Sequence, residues 1–145
     1  MIARRLFASL ATPSRFEGDP YGGLLNQWGH YTLGVVVYIL VCSAWFFFWS
    51  LFGAGEMPPR WDAAGVVIAA YLLGWEIWRQ GWQGRDTLED TGFFAGGVLT
   101  VASSVQEIAA SGWRSEIVVD LGYLVAAIIA MSWACIAYAV SRYRG

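Results

Sequence analysis

Apolar residues in this chain come in long unbroken runs, not at the spacing of an amphipathic helix. No charged residue occurs from Tyr31 to Phe52, and an α-helix of that length covers a hydrocarbon core of ~30 Å. Gly53 to Pro59 reads as a tight turn rich in Gly and Pro. A second span is expected from about Asp62 to Trp78, with Glu76 near its end. Arg79 to Asp90 is a polar loop. A third span, about Thr91 to Ala109, is rich in Gly, Ala and Ser and ends with Gln106 and Glu107. Small residues of that kind belong between helices. A fourth span, about Ile117 to Val140, carries Asp120 near its start.

Residues 1–30 read as a polar and interfacial lead-in. Ile2, Leu6, Phe7 and Leu10 share one face of a short helix beside Arg4 and Arg5, a pattern that suits a membrane surface. The apolar stretch is too short and broken for a signal peptide, since Arg15, Glu17 and Asp19 follow at once. Pro20, Gly22 and Gly23 then predict a loop. The expected architecture is an all-α membrane protein. A cytoplasmic or interfacial segment, residues 1–30, precedes a bundle of about four transmembrane helices, residues 31–145.

Composition supports this. Of 145 residues, 57% are hydrophobic and 14% charged, where soluble domains carry roughly 25% charged. So few charges could not cover the apolar area of a soluble domain of this length. The net charge of −2 gives no reason to expect nucleic acid as a partner. Cys42 and Cys135 lie inside apolar runs and read as small apolar residues. Arg4, Arg5, Arg15, Arg79, Arg85, Arg142 and Arg144 fall on one side of a four-span topology, Arg60 and Arg114 on the other. The positive-inside rule then puts both termini in the cytoplasm of a bacterial inner membrane. If the third span were re-entrant, the C-terminus would change sides. Trp28, Trp75, Trp78 and Trp82 gather at the cytoplasmic boundary of this topology, and Trp49, Trp61 and Trp113 near the opposite one, where amphipathic indole rings anchor.

The same topology brings four polar side chains to one boundary. His30 opens span one, Glu76 lies about one turn inside the end of span two, and Asp86 and Asp90 bracket the entry to span three. A carboxylate within a span is costly and needs a partner, which His30 or Arg85 would supply. Gln80 is four residues after Glu76, on the same helical face. The donor set suits a hard divalent cation bound through oxygen. It also suits general acid–base work on a lipid headgroup. Neither a particular metal nor an organic cofactor is specified. Structural readings stand beside these: Thr87-Leu88-Glu89-Asp90 has the form of a capping box, Asp86 favours a helix N-terminus, His30 suits the interface, and Glu76 could lock helices through a salt bridge. Asp62, Glu107, Arg114, Glu116 and Asp120 form a looser group on the far side, read as solvated helix ends.

Glu76-Ile77-Trp78-Arg79-Gln80, then Arg85-Asp86-Thr87-Leu88-Glu89-Asp90, then Ala95-Gly96-Gly97 resembles the VanZ-like family of small bacterial integral membrane proteins. That family has a Glu followed by Gln at a span end, an Arg-initiated polar loop, an Asp and a Gly-containing span. Gly29-His30-Tyr31 with Gly34 looks like the family's His at the start of an earlier span. The resemblance covers roughly residues 26–100. It departs where the family carries an Asn shortly after the Asp, since Thr91-Gly92-Phe93-Phe94 stands there. It implies a cell-envelope or lipid-linked role and names no reaction.

No phosphate-binding loop, dinucleotide fingerprint, His-Glu-x-x-His or Gly-x-Ser-x-Gly is present. A single histidine offers no paired haem ligands. Three functional readings follow. The first is an envelope protein with a candidate polar site of His30, Glu76, Asp86 and Asp90. The second is a non-catalytic interaction subunit or assembly factor that meets other membrane subunits through the Gly/Ala/Ser face of span three. The third is a phage-type holin or lysis protein. The expected partner in every case is the lipid bilayer.

Overall fold

The first helix starts well before its apolar run. The computed structural model describes residues 19–52, 60–109 and 115–143, and α1 spans Pro20–Leu51. The loop expected at Pro20 to Gly23 is therefore helix, and His30 sits in its third turn instead of opening it. The physical reason lies in the cap. Asp19 accepts a hydrogen bond from the Gly22 amide at 2.9 Å and Pro20 takes the first helical turn, where its fixed φ is favourable and its missing N–H costs nothing. The interfacial helix expected within residues 1–18 lies outside the described residues.

α2 spans Arg60–Ala70 and continues directly as a π-helical segment, Tyr71–Arg79. Positive-φ Gly81 and Gly84 then turn the chain into α3, Arg85–Ser104. Thr87 is inside this helix, and its hydroxyl accepts from the Gln83 amide at 3.0 Å. The capping box expected at Thr87 to Asp90 is thus displaced, which leaves the Asp90 carboxylate to other partners. The third span also stops short of Ala109. Strand β1, Val105–Ala109, pairs antiparallel with β2, Ser115–Val119, with Val105 opposite Val119 and Ala109 opposite Ser115. Serines at the end of α3 compete for helix carbonyls, as Ser104 does with Val101 at 3.0 Å. The β-branched Val105, Ile108, Ile117, Val118 and Val119 then favour extended backbone. The last helix, α4, accordingly begins at Leu121 and runs to Tyr143. Asp120 caps it by accepting from the Tyr123 amide at 2.9 Å.

Apart from the hairpin, the described elements are helical and alternate in direction. Tyr38 of α1 reaches the Arg60 carbonyl at the start of α2 (2.9 Å), whereas His30 meets Tyr71 in the π segment, so these two run antiparallel. α1 and α3 run parallel and share the most extensive interface. Two glycines make it close. A Cβ on Gly34 would overlap the Phe94 carbonyl, and one on Gly97 would overlap the Tyr31 carbonyl and lie 2.9 Å from the Val35 nitrogen. Backbone therefore meets backbone, as small residues permit between membrane helices. The small face of α3 is used inside the chain: Gly97 against α1, and Gly96 against Met131 of α4. Tyr31 adds a hydrogen bond to Thr100 at 3.1 Å.

The interior is unusual in what it buries. The buried stripe of α1 is Gly23, Gln27, Tyr31, Gly34, Tyr38 and Cys42, at steps of three and four residues. Leu33, Val36, Ile39, Leu40 and Phe47 point outward and are exposed. α1 and the Leu121–Ser141 part of α4 are both long and apolar enough to cross a membrane, with mean hydropathy 2.0 and 2.1 over their most apolar windows. Only 17% and 11% of those windows are buried, the reverse of a soluble protein's core helix.

Candidate functional site

Asp90 lies in the second turn of α3 and is buried against α1. Three side chains of α1 converge on its carboxylate. Asn26 and Gln27 donate to Oδ1, each at 3.3 Å, and His30 Nε2 lies 3.1 Å from Oδ2. Positions 26, 27 and 30 fall within about one turn, so one helix face presents all three. The second Gln27 amide atom, Oε1, is buried without a hydrogen-bond partner among the described residues.

The other ring nitrogen of His30 faces α2. His30 Nδ1 is 2.8 Å from the Tyr71 hydroxyl, which donates to Glu76 Oε1 at 2.5 Å. The π winding makes this possible. In an α-helix residues five apart are separated by about 500°, or roughly 140° from a common face. In a π-helix i and i+5 are hydrogen-bonded neighbours, as the Gln80 amide and Trp75 carbonyl are at 3.0 Å. Tyr71 and Glu76 are the buried residues of this segment. Tyr71 is further fixed by stacking on Phe94, with ring centroids 3.9 Å apart and planes at 8°.

The proton count in this chain of contacts is constrained. A tyrosine hydroxyl has one proton. When it goes to Glu76, the oxygen can only accept, so His30 must carry a proton on Nδ1. Nε2 then faces the Asp90 carboxylate, and a second ring proton or a bound cation bridges the two. When Nε2 also carries a proton, the mirror arrangement moves the Nδ1 proton to Glu76 through Tyr71 and leaves a neutral ring donating from Nε2 to Asp90. Tyr71 thus couples the histidine to the glutamate.

The structure brings together three of the four candidate residues. Ligand atoms of His30, Glu76 and Asp90 lie within 4.8 Å of one another and could hold a metal ion. Asp86 is half-buried one turn before Asp90, and its charge acts on Tyr71 and Glu76 from outside the triad. Arg85, expected as a partner of Glu76, forms an ion pair with Glu89 on its own helix, and Glu89 also accepts from Tyr138 of α4. Gln80 is the cap residue after the π segment. On the far side, Asp62 stands in the first turn of α2 and Asp120 caps α4. Arg114 and the side chains of Glu107 and Glu116 lie outside the described residues. Tyr71, Asn26 and Gln27 were not anticipated. Asn26 and Gln27 precede His30 by four and three residues, a helical spacing that an expected loop at Pro20 to Gly23 and a span opening at His30 conceal.

The polar cluster adjoins a groove of about 790 Å³ between α1 and α2. Leu25, Gly29, Leu33, Val37 and Val41 form its α1 wall, every fourth residue. From His30 to Val41 this wall runs roughly 16 Å at 1.5 Å per residue. Val66 and Ala70 face it from α2, and Asn26, His30 and Tyr71 supply its polar end. No protein-family model, no curated protein and no solved structure matches the chain.

Proposed function

We propose that this chain is a small polytopic protein of the bacterial inner membrane, with four spanning helices and both termini cytoplasmic. In this reading it binds an envelope amphiphile, with the apolar chain in the α1–α2 groove and the headgroup at His30, Tyr71, Glu76 and Asp90. One observation carries the reading: a groove walled by aliphatic side chains ends at hydrogen-bonding groups. An amphiphile has that same division. The outward apolar faces of α1 and α4 support a lipid surround, because water would penalise them. The resemblance of residues 26–100 to VanZ-like proteins supports an envelope or lipid-linked role, with Glu76, Asp86, Asp90 and His30 as the matching positions. At the headgroup, the His30–Tyr71–Glu76 relay is suited to giving or taking a proton.

A lipid with a photoreactive group along its chain tests this in bilayer nanodiscs. Labelling is expected on Leu33, Val37 and Val66, and Val37→Trp, which fills the groove, should suppress it. Labelling spread evenly over α1 and α4, unchanged by Val37→Trp, would sink the reading.

A further inference from the structure

We infer that His30, Glu76 and Asp90 form a binding site for one divalent transition-metal ion of the Zn²⁺ or Mn²⁺ class. The three come from α1, the π segment and α3, and their ligand atoms lie within 4.8 Å of one another. Ligands about 2.0–2.2 Å from a metal stand ~3–4 Å apart, so closure takes less than about 1 Å of side-chain movement. His30 Nε2 and Asp90 Oδ2, at 3.1 Å, already have the spacing of adjacent ligands.

Orientation agrees with these distances. With Tyr71 donating to Glu76, a neutral His30 holds its proton on Nδ1, and its Nε2 lone pair then faces Asp90 Oδ2. A metal bound by these two atoms takes the place that a second ring proton fills in an imidazolium. Each ligand also has an outer partner of the kind that orients metal-bound side chains. The Tyr71 oxygen accepts from His30 Nδ1–H, the Tyr71 hydroxyl donates to Glu76 Oε1, and the Asn26 and Gln27 amides donate to Asp90 Oδ1. The orphaned Gln27 Oε1 is an independent sign. It is an acceptor beside the triad, suited to a metal-bound water.

One nitrogen and two carboxylates suit Zn²⁺ or Mn²⁺, whereas thiophilic Cu⁺ prefers sulfur ligands. Three protein ligands leave a position open, as in catalytic sites. For the occupant of that position the inference rests on the amphiphile reading: a headgroup oxygen would bind there. The metal itself does not depend on the groove.

The test uses the full chain in nanodiscs, stripped with chelator and titrated calorimetrically with Zn²⁺ and, separately, Mn²⁺. One ion per chain is expected for at least one of the two metals. Asp90→Asn and Glu76→Gln should abolish stoichiometric binding. Tyr71→Phe keeps all three ligands and should weaken binding about 10–100-fold. Absence of saturable binding by the wild type overturns the site whatever the variants do. So does stoichiometric binding that survives both ligand changes. Photolabelling of the stripped protein separates the two ideas: labelling without metal binding removes the metal and keeps the groove, and metal binding without labelling does the reverse.

Discussion

Tyr71 and Glu76 are five residues apart and hydrogen-bonded side chain to side chain at 2.5 Å, a pairing that the wider winding of the π segment permits. Short π segments recur at functional sites because they re-aim side chains that an α-helix would separate. Here the result is a hydroxyl shared between a histidine on α1 and a glutamate on α2's extension.

Removing that hydroxyl is informative because the ring can stay. Tyr71→Phe keeps the stack on Phe94 and leaves Glu76, 1% exposed, without its donor. An unsatisfied buried group costs about 1–3 kcal/mol, so a loss of that size is expected by denaturant titration in mild detergent. Tyr123→Phe, at a side chain 47% exposed, should change little. Equal effects at the two positions would mean that the Tyr71 hydroxyl has no structural partner.

Much of the site was legible because topology alone gathers residues. Helices that alternate in direction put His30, Glu76 and Asp90 at one end of the bundle, whatever the details of packing. Tyr71 was hidden, since the α-helical period points it away from Glu76 and a π segment has no sequence mark comparable to a cap. The α1 side chains were hidden for another reason. Glycines and Pro20 suggested a loop, yet Pro is welcome in a first turn and Asp19 supplies the cap. The hairpin was missed because Val105–Ala109 and Ser115–Val119 are apolar enough to extend neighbouring spans, and short apolar runs do not declare their period.

Asp90 gathers three partners from α1. Asn26, Gln27 and His30 all meet it. Asp90→Asn keeps the side chain's size and one acceptor oxygen but removes the charge to which the Asn26 and Gln27 amides donate. Weakening hydrogen bonds to a buried charged group costs about 1.5–3 kcal/mol. Asp86→Asn, at a half-buried position outside the triad, should cost much less. Thermal unfolding followed by near-ultraviolet circular dichroism, which reports the surrounding tryptophans, ranks the two. A larger loss at Asp86 would reverse the assignment of Asp90 as the hub.

The glycines make a sharper contrast. Gly34→Ala and Gly97→Ala each drive a methyl into backbone of the facing helix, which cannot yield as a side chain can. Overpacking typically costs about 1–3 kcal/mol, and Gly97→Leu should prevent the α1–α3 contact altogether. Gly65→Ala and Gly92→Ala meet nothing within 4 Å and should stabilise by up to ~1 kcal/mol through helix propensity. Folded yield and unfolding midpoints in one detergent compare all four. Tolerance of alanine at Gly97 would mean that the two helices do not approach as closely as described.

The path of α3 decides the orientation of everything after it. Two contacts tie α4 antiparallel to α3: the Asp120 amide donates to the Ser104 carbonyl at 2.8 Å, and Tyr138 donates to Glu89 near the other end. α4 therefore returns the chain to the end where His30, Glu76 and Asp90 meet. Arg79, Arg85, Arg142 and Arg144 belong to that end by sequence, and positive charge is retained in the cytoplasm. Reporter fusions after Gln83 and after Gly145 should then give cytoplasmic signals, and one after Gly112 a signal from the opposite face. A cytoplasmic signal at Gly112 would make α3 re-entrant and leave only α1, the α2–π helix and α4 as crossings. An outward signal at Gly145 together with one at Gln83 would invert the bundle and place the polar cluster in the outer leaflet.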